Sequence, residues 1–414
     1  LYISWVGRNI RDNSPSPASV LVGQLRDYLA QGWTLADASS GDILDALTIE
    51  HPLQPFSRDY FRSDAATGRL FTYAHEWREA LEPRDSAGPD SLALPLTENI
   101  QATPGEVARF LRDPVALFFN ERLKVRALNT DSGAMDDEPF ALDALTSARI
   151  NGDLLDAGLR AIDNGDDVAV AINQEAARLC ATGQLPPPPW DSLHAEALTD
   201  EVGALAMTWQ QALQHWPDTA EPIELRLDDL AGPPPFAIEG WLKGLRSGPE
   251  GLCQLLPFTG DIDKKPWRLV NAWVDHLCGC ATGLKLHSWL LNAEKSFQFP
   301  ALDAAQARHL LEHMAQAWLQ ALQMPLPLAV RTGFECMSGN APNMKKAQSA
   351  YEGGFNHTGE RDYTSNLLLR RSFPDFDTLV QAHTGDEPMM VHWAERLYAP
   401  LLAQRSTLDI GGRQ

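Results

Sequence analysis

Short apolar runs alternate along the chain with longer amphipathic stretches, the pattern of a mixed α/β protein. Residues 2–6 (Tyr2, Ile3, Ser4, Trp5, Val6) predict a short buried strand. After the turn formers Asp12, Asn13, Ser14 and Pro15, Ser16 and Pro17 offer an N-cap and a first helical residue. Val20, Leu21, Leu25, Tyr28 and Leu29 then share one helical face, which Gly32 ends. Strand, turn and helix predict the edge of an α/β layer over residues 1–85, with its other strands supplied from elsewhere, as in a piece of a longer protein. Turn formers crowd residues 82–90, and a linker is expected at 86–102.

The pattern changes at Thr103, Pro104 and Glu106, which together spell a capping box with proline at the first helical position and open a second unit over 103–414. Val107, Phe110 and Leu111 form the inner face of that helix. Asp113-Pro114 interrupts it, and Val115, Leu117, Phe118, Phe119 and Leu123 resume the apolar pattern. Helices are predicted at 150–162, 174–181 and about 192–216, with the stiff proline run 185–190 as a spacer. Strands are predicted at 222–227, 236–242 and 252–258, a helix at 267–281 behind the last strand, and another at 304–322.

Charge adds position to this outline. The 414 residues carry a formal charge of −21, which argues against a free-standing, non-specific nucleic-acid binder. The acidity is concentrated: residues 127–240 hold 4 basic against 21 acidic side chains, a net of −17. Residues 101–126 hold 5 basic against 3 acidic, a net of +2. Arg109, Arg112, Lys124 and Arg126 lie in that basic segment, either as a solvated helix face or as phosphate contacts. No apolar run approaches the roughly 20 residues of a membrane helix.

The signatures of the commonest chemistries are missing. There is no G-x-x-x-x-G-K-[ST], no G-x-S-x-G and no H-E-x-x-H. The five cysteines are odd in number and scattered, as in a reducing compartment. Cys278 and Cys280, with His276 and His287 nearby, fit zinc poorly; the helical spacing of Leu269, Val270, Trp273, Leu277 and Cys278 makes Cys278 a core residue.

One arrangement does point to a reaction class. Strand, turn, strand and helix across 236–281 is the frame of metal-dependent PD-(D/E)xK nucleases. There one strand gives a carboxylate, and the next gives a carboxylate and a lysine that hold Mg²⁺ on the scissile phosphate. Here Trp241, Leu242 and Lys243 follow Gly240, and the next strand presents Gln254 and Leu256 where an acid and a lysine are needed. Asp263-Lys264-Lys265 fits Asp-x-Lys literally, with Glu239 upstream, but Gly260 to Pro266 reads as a polar loop.

Taken in order, several stretches resemble the RecC family, the gamma subunits of exodeoxyribonuclease V. They are Tyr2 to Ser14 with Pro17 to Val22, Arg109 to Phe119, Asp137-Glu138-Pro139-Phe140, Gly183 to Pro186, Gly240-Trp241-Leu242, His276-Leu277, Cys280 to Gly283 and Ala350 to Gly353. The resemblance implies the end of an inactivated helicase-like α/β domain, followed by a PD-(D/E)xK nuclease-like domain with a central mixed sheet flanked by helices. It implies no catalytic residue, metal or cofactor in this chain, with ATP and Mg²⁺ used by RecB-like and RecD-like partner subunits. It further implies contact with double-stranded DNA ends and unwound single strands, a role in recombination repair, and a cytoplasmic location. Active relatives carry a histidine where this chain has Asn151, and often Cys-Pro where it has Asp113-Pro114. Asn151, Lys243, Gln254 and Leu256 are thus the degenerate positions. The competing expectation is an active AddB-type nuclease using Asp263 and Lys265.

Overall fold

In a computed structural model, residues 1–9, 14–36, 42–54, 56–61, 70–73, 77, 99–127, 141–354 and 357–410 are described. The chain divides into two compact units, Leu1–Gly88 and Pro89–Gln414.

The first unit holds helices α1 (Val20–Gly32) and α2 (Ile43–Leu47). None of its described residues is buried. The strand expected at 2–6 does not form: Tyr2 and Val6 are exposed, and residues 2–6 have no sheet partner among the described residues. A lone extended segment leaves its backbone N–H and C=O groups to water, so apolar sequence alone cannot make it a strand. The expected cap is also displaced. The helix begins at Val20 with Ser19 at the N-cap, no side-chain hydrogen bond closes it, and Ser16 and Pro17 precede it. Polar staples hold the unit instead: Arg8 Nε meets Glu50 at 2.6 Å, and Arg26 donates to Thr48 Oγ1 at 2.8 Å. The turn at 12–13, most of the linker at 86–102, and residues 137–140 lie outside the described residues.

The second unit starts with β1 (Ile100–Ala102), formed by the last three residues of the expected linker. Helices α3 (Pro104–Arg112) and α4 (Pro114–Leu117) follow, then a π-helical turn Phe118–Arg122. A three-helix bundle comes next: α5 (Ala144–Asn164), α6 (Val168–Ala181) and α7 (Trp190–His215). Strands β2 (Asp218–Thr219), β3 (Ile223–Ala231), β4 (Phe236–Leu242), β5 (Leu245–Gly248) and β6 (Gly251–Pro257) lead into helix α8 (Val270–Ala281). Then come β7 (Leu286–Leu291), β8 (Ser296–Phe299), α9 (Ala304–Ala321), α10 (Val330–Cys336) and α11 (Met344–Glu352). The chain closes with α12 (Leu367–Ser372), α13 (Phe376–Gln381), α14 (Met389–Leu397), α15 (Ala399–Gln404) and β9 (Ser406–Leu408).

Two sheets organise these elements. In the smaller, β4 lies between β1, parallel to it, and β3, antiparallel to it. The larger runs β9-β8-β7-β6-β5-β2 and is mixed, with β6 and β7 parallel and its other neighbours antiparallel. Parallel neighbours need a crossover, and α8 supplies it. The period of two in β6 sends Cys253 and Leu255 into one core with α5, α6 and α7, while Leu252 and Leu256 pack on the other core with α8. Trp289 and Leu291 of β7 join the first of these cores, and Leu286 and Leu290 the second. Burying each such leucine contributes about 2 kcal/mol, so both faces of β6 and β7 are committed to packing.

Candidate functional site

The positions singled out by the expected strand-turn-strand frame lie around the end of β4. Leu242 is the last residue of β4, and Gly244, at φ 68°, turns the chain into β5. That left-handed turn exposes the Lys243 side chain and points its carbonyl inward, where Gln254 Nε2 donates to it at 3.2 Å. Gln254 pairs with Leu245 in the ladder, which fixes its height beside the turn. Across from it on α8, Asp275 receives a hydrogen bond from the Gln254 side chain. Burial pushes the Asp275 carboxyl up to about 6, against the lowering effect of that bond. Gln254 Oε1 is buried and has no partner. Leu256 lies two residues on, on the same face of β6.

Gln254 is thus brought to the Lys243 carbonyl, with Leu256 two residues on along β6, but the expected strand pair is split, since β4 belongs to the small sheet and β6 to the large one. Asn151 is not brought near them. Asn151 sits on α5 between Ile150 and Leu154, in the bundle on the opposite face of the large sheet, with its Oδ1 buried and unpartnered. The residue that sequence reasoning missed is Asp275. Its signal was an acid set in the apolar run Trp273, Val274, His276, Leu277 and Cys278, which a solvated helix would not contain.

The literal Asp-x-Lys lies elsewhere. Residues 258–265 form a loop, and Asn292 ties it down by donating to the carbonyls of Phe258 and Gly260, both at 2.8 Å. Both Asp263 oxygens are occupied by cations, Lys295 Nζ at 2.7 Å and Arg405 at 3.0 Å. Asp261 pairs with Lys264 at 3.0 Å, its carboxyl held low chiefly by the Lys264 backbone N–H. A cleft of 180 Å³ lies among Asp261, Asp263, Asn292 and Lys295. Glu239 is not part of it; it faces Arg226 at 3.7 Å on the small sheet. Lys265 is exposed. A carboxylate neutralised by two cations is a poor ligand for a third.

The cysteine–histidine cluster is core. His276 is fully buried, Nδ1 against Ser288 Oγ at 3.0 Å and Nε2 against the Pro300 carbonyl at 3.1 Å. Burial pushes its pKa down to about 4, which keeps the ring neutral. Cys278 and Cys280 are buried thiols raised by desolvation. Among the described residues no group of three or more His, Cys, Asp and Glu is placed to hold a metal ion.

The basic segment is built on two caps. Thr103 and Glu106 close the capping box, with Thr103 N to Glu106 Oε2 at 2.8 Å and Glu106 N to Thr103 Oγ1 at 3.2 Å. Asp113 ends α3 and accepts from Ala116 N at 3.2 Å to start α4. Burial raises the Asp113 carboxyl despite that bond. Val107, Phe110 and Leu111 face the core, which leaves Arg109 and Arg112, three residues apart, on the outer face of α3. After the π turn, Lys124 adopts φ 54° and pairs with Glu121 at 3.2 Å, and Arg126 extends into solvent.

The class so defined is a mixed α/β protein with a six-stranded mixed sheet packed on both faces. The comparisons with known proteins place it further. Residues 101–341 match the family described as the RecC C-terminal domain, and the chain belongs to that family. It is similar to the RecBCD enzyme subunit RecC of Escherichia coli (strain K12), 29% identical over 386 residues, which is 87% of this chain and 32% of that protein. It is also similar to the RecBCD enzyme subunit RecC of Haemophilus influenzae, 34% identical over 158 residues, 37% of this chain and 13% of that protein. The chain thus spans about a third or less of the length of the curated relatives it matches.

Proposed function

We propose that this chain is a non-catalytic scaffold and DNA-guiding part of a helicase–nuclease that processes double-strand breaks for recombination repair. In this reading residues 1–85 end a helicase-like domain, and residues 103–414 form a degenerate PD-(D/E)xK nuclease-like domain. RecB-like and RecD-like subunits supply the motors, ATP and Mg²⁺, in the cytoplasm. The observation that carries the reading is the Gln254–Lys243 hydrogen bond with Leu256 beside it. An amide and an alkyl group fill the positions where the reaction needs a carboxylate and an ammonium, and neither can hold a divalent cation on a phosphate.

The basic segment supports the DNA-guiding part, with Arg109, Arg112, Lys124 and Arg126 as the phosphate contacts. The rival reading, an AddB-type nuclease using Asp263 and Lys265, meets the obstacle that Lys295 and Arg405 already neutralise Asp263. Incubation of the purified chain with linear DNA and Mn²⁺, beside a calorimetric Mn²⁺ titration, separates the two. The scaffold reading expects no cleavage and no binding heat. Cleavage that disappears in Asp263→Ala would replace it with the nuclease reading.

A further inference from the structure

Resting on the reading of Arg109, Arg112 and Arg126 as phosphate contacts, we propose that Arg370 and Arg371 of α12 complete the same face, making one arginine-lined track for a DNA phosphodiester backbone.

The two segments are far apart in sequence and meet through packing. Helix α12 lies against α4, and α4 begins two residues after Arg112. Leu369 of α12 is buried, 5% exposed, in the same core as Val115 and Leu117 of α4, and Leu368 packs beside it. That anchoring leaves Arg370 and Arg371 exposed next to the α3–α4 corner. Nothing in the sequence joins residue 112 to residue 370, because the basic pair belongs to residues 241–414, whose 17 basic and 17 acidic side chains cancel.

Most carboxylates of these segments are already engaged, with Asp375 capping α13 through Thr378 N at 2.7 Å and Asp377 left exposed. Glu106 is closed in the capping box, Asp113 caps α4, and Glu121 holds Lys124. Glu360 is buried and accepts from Arg331 N at 2.9 Å, Thr332 N at 2.7 Å and Thr332 Oγ1 at 2.8 Å. Asp362 faces Arg361 at 3.6 Å. Arg109, Arg112, Arg126, Arg370 and Arg371 have no carboxylate partner among the described residues, so five exposed guanidinium groups on these segments are free to meet an anion. All five are arginines, whose planar fork matches two phosphate oxygens, where lysine offers a point charge. In a chain of charge −21, a local surplus of unpaired guanidinium groups is where a polyanion can approach.

The test measures binding of the full chain to a labelled single strand, and to the same sequence as a duplex, by fluorescence anisotropy across a salt series. Arg370→Ala/Arg371→Ala is expected to lower the slope of log K against log salt by about 1.4 on the single strand, or about 1.8 on the duplex, and to weaken binding about tenfold or more at low salt. Arg370→Lys/Arg371→Lys keeps the charge and is expected to retain most of the slope. Circular dichroism checks that α12 stays folded on its Leu369 anchor. An unchanged slope in the alanine pair, while Arg109→Ala/Arg112→Ala loses slope, removes α12 from the track and leaves the proposed function standing. Unchanged binding in both pairs, or no binding by the unmodified chain, removes the DNA-guiding face as well.

Discussion

Asp275 is held between water and the core, and its position gives the Gln254 corner a measurable pH signature. Burial pushes its carboxyl up to about 6 from an ordinary 3.8. Between those values the folded chain keeps a proton that the unfolded chain has released. This contribution is therefore fully present below the unfolded value and is lost as pH rises through the folded one. The gap corresponds to about 3 kcal/mol at most. Asp275→Asn keeps an oxygen to accept from Gln254 and removes the ionisation. Relative to the unmodified chain, the variant should gain stability on going from pH 4 to pH 7, read from urea midpoints at the two values. A difference that stays flat across that range would mean that Asp275 is solvated like an ordinary surface acid.

At the scale of elements, α8 lies against the sheet as closely as its glycine permits. A Cβ on Gly279 would stand 2.5 Å from Leu286 Cδ2 of β7 and 3.1 Å from Leu242 Cδ2 of β4. Gly279→Ala should gain up to about 1 kcal/mol in helix propensity and lose about 1–3 kcal/mol to overpacking, for a net loss in thermal or urea stability. Adding Leu286→Ala should recover part of the overpacking penalty, and strictly additive losses would show that no such contact exists. Elements of this kind were readable in the sequence where one face of a segment is buried. The capping box at Thr103, the strands around 236–257 and the helices behind them follow directly from period and caps. The site was readable only by subtraction: order along the chain singled out Gln254 and Leu256. The split of β4 and β6 between two sheets was not legible, because pairing partners lie far apart in sequence. Asn151 misled because sequence similarity along one helix says nothing about which face of the sheet that helix covers. The run 2–6 misled because hydrophobicity alone does not make a strand without a neighbour to pair with.

Across the whole chain, stability and charge are distributed very unequally. The stretch carrying −17 includes the α5–α7 bundle, whereas the five unpaired arginines belong to α3, α12 and the segment after the π turn. The −21 total therefore describes the bundle more than the proposed track. The cores are equally localised. In β6 and β7 a six-residue parallel register runs from Leu252 to Pro257, covered on both faces. In the first unit, α1 has 13 residues and no buried side chain, with Val20 and Leu21 both 77% exposed. An isolated helix of that length is marginal in water, and its amides open without disturbing any core. Hydrogen exchange followed by mass spectrometry should therefore find α1 exchanging within about two orders of magnitude of an unstructured peptide, while β6 and β7 exchange only through global unfolding. Protection of α1 equal to that of β6 in the free chain would show that its apolar stripe is buried after all. A docking partner that covers Val20, Leu21 and Tyr28 should raise α1 protection and leave β6 and β7 unchanged.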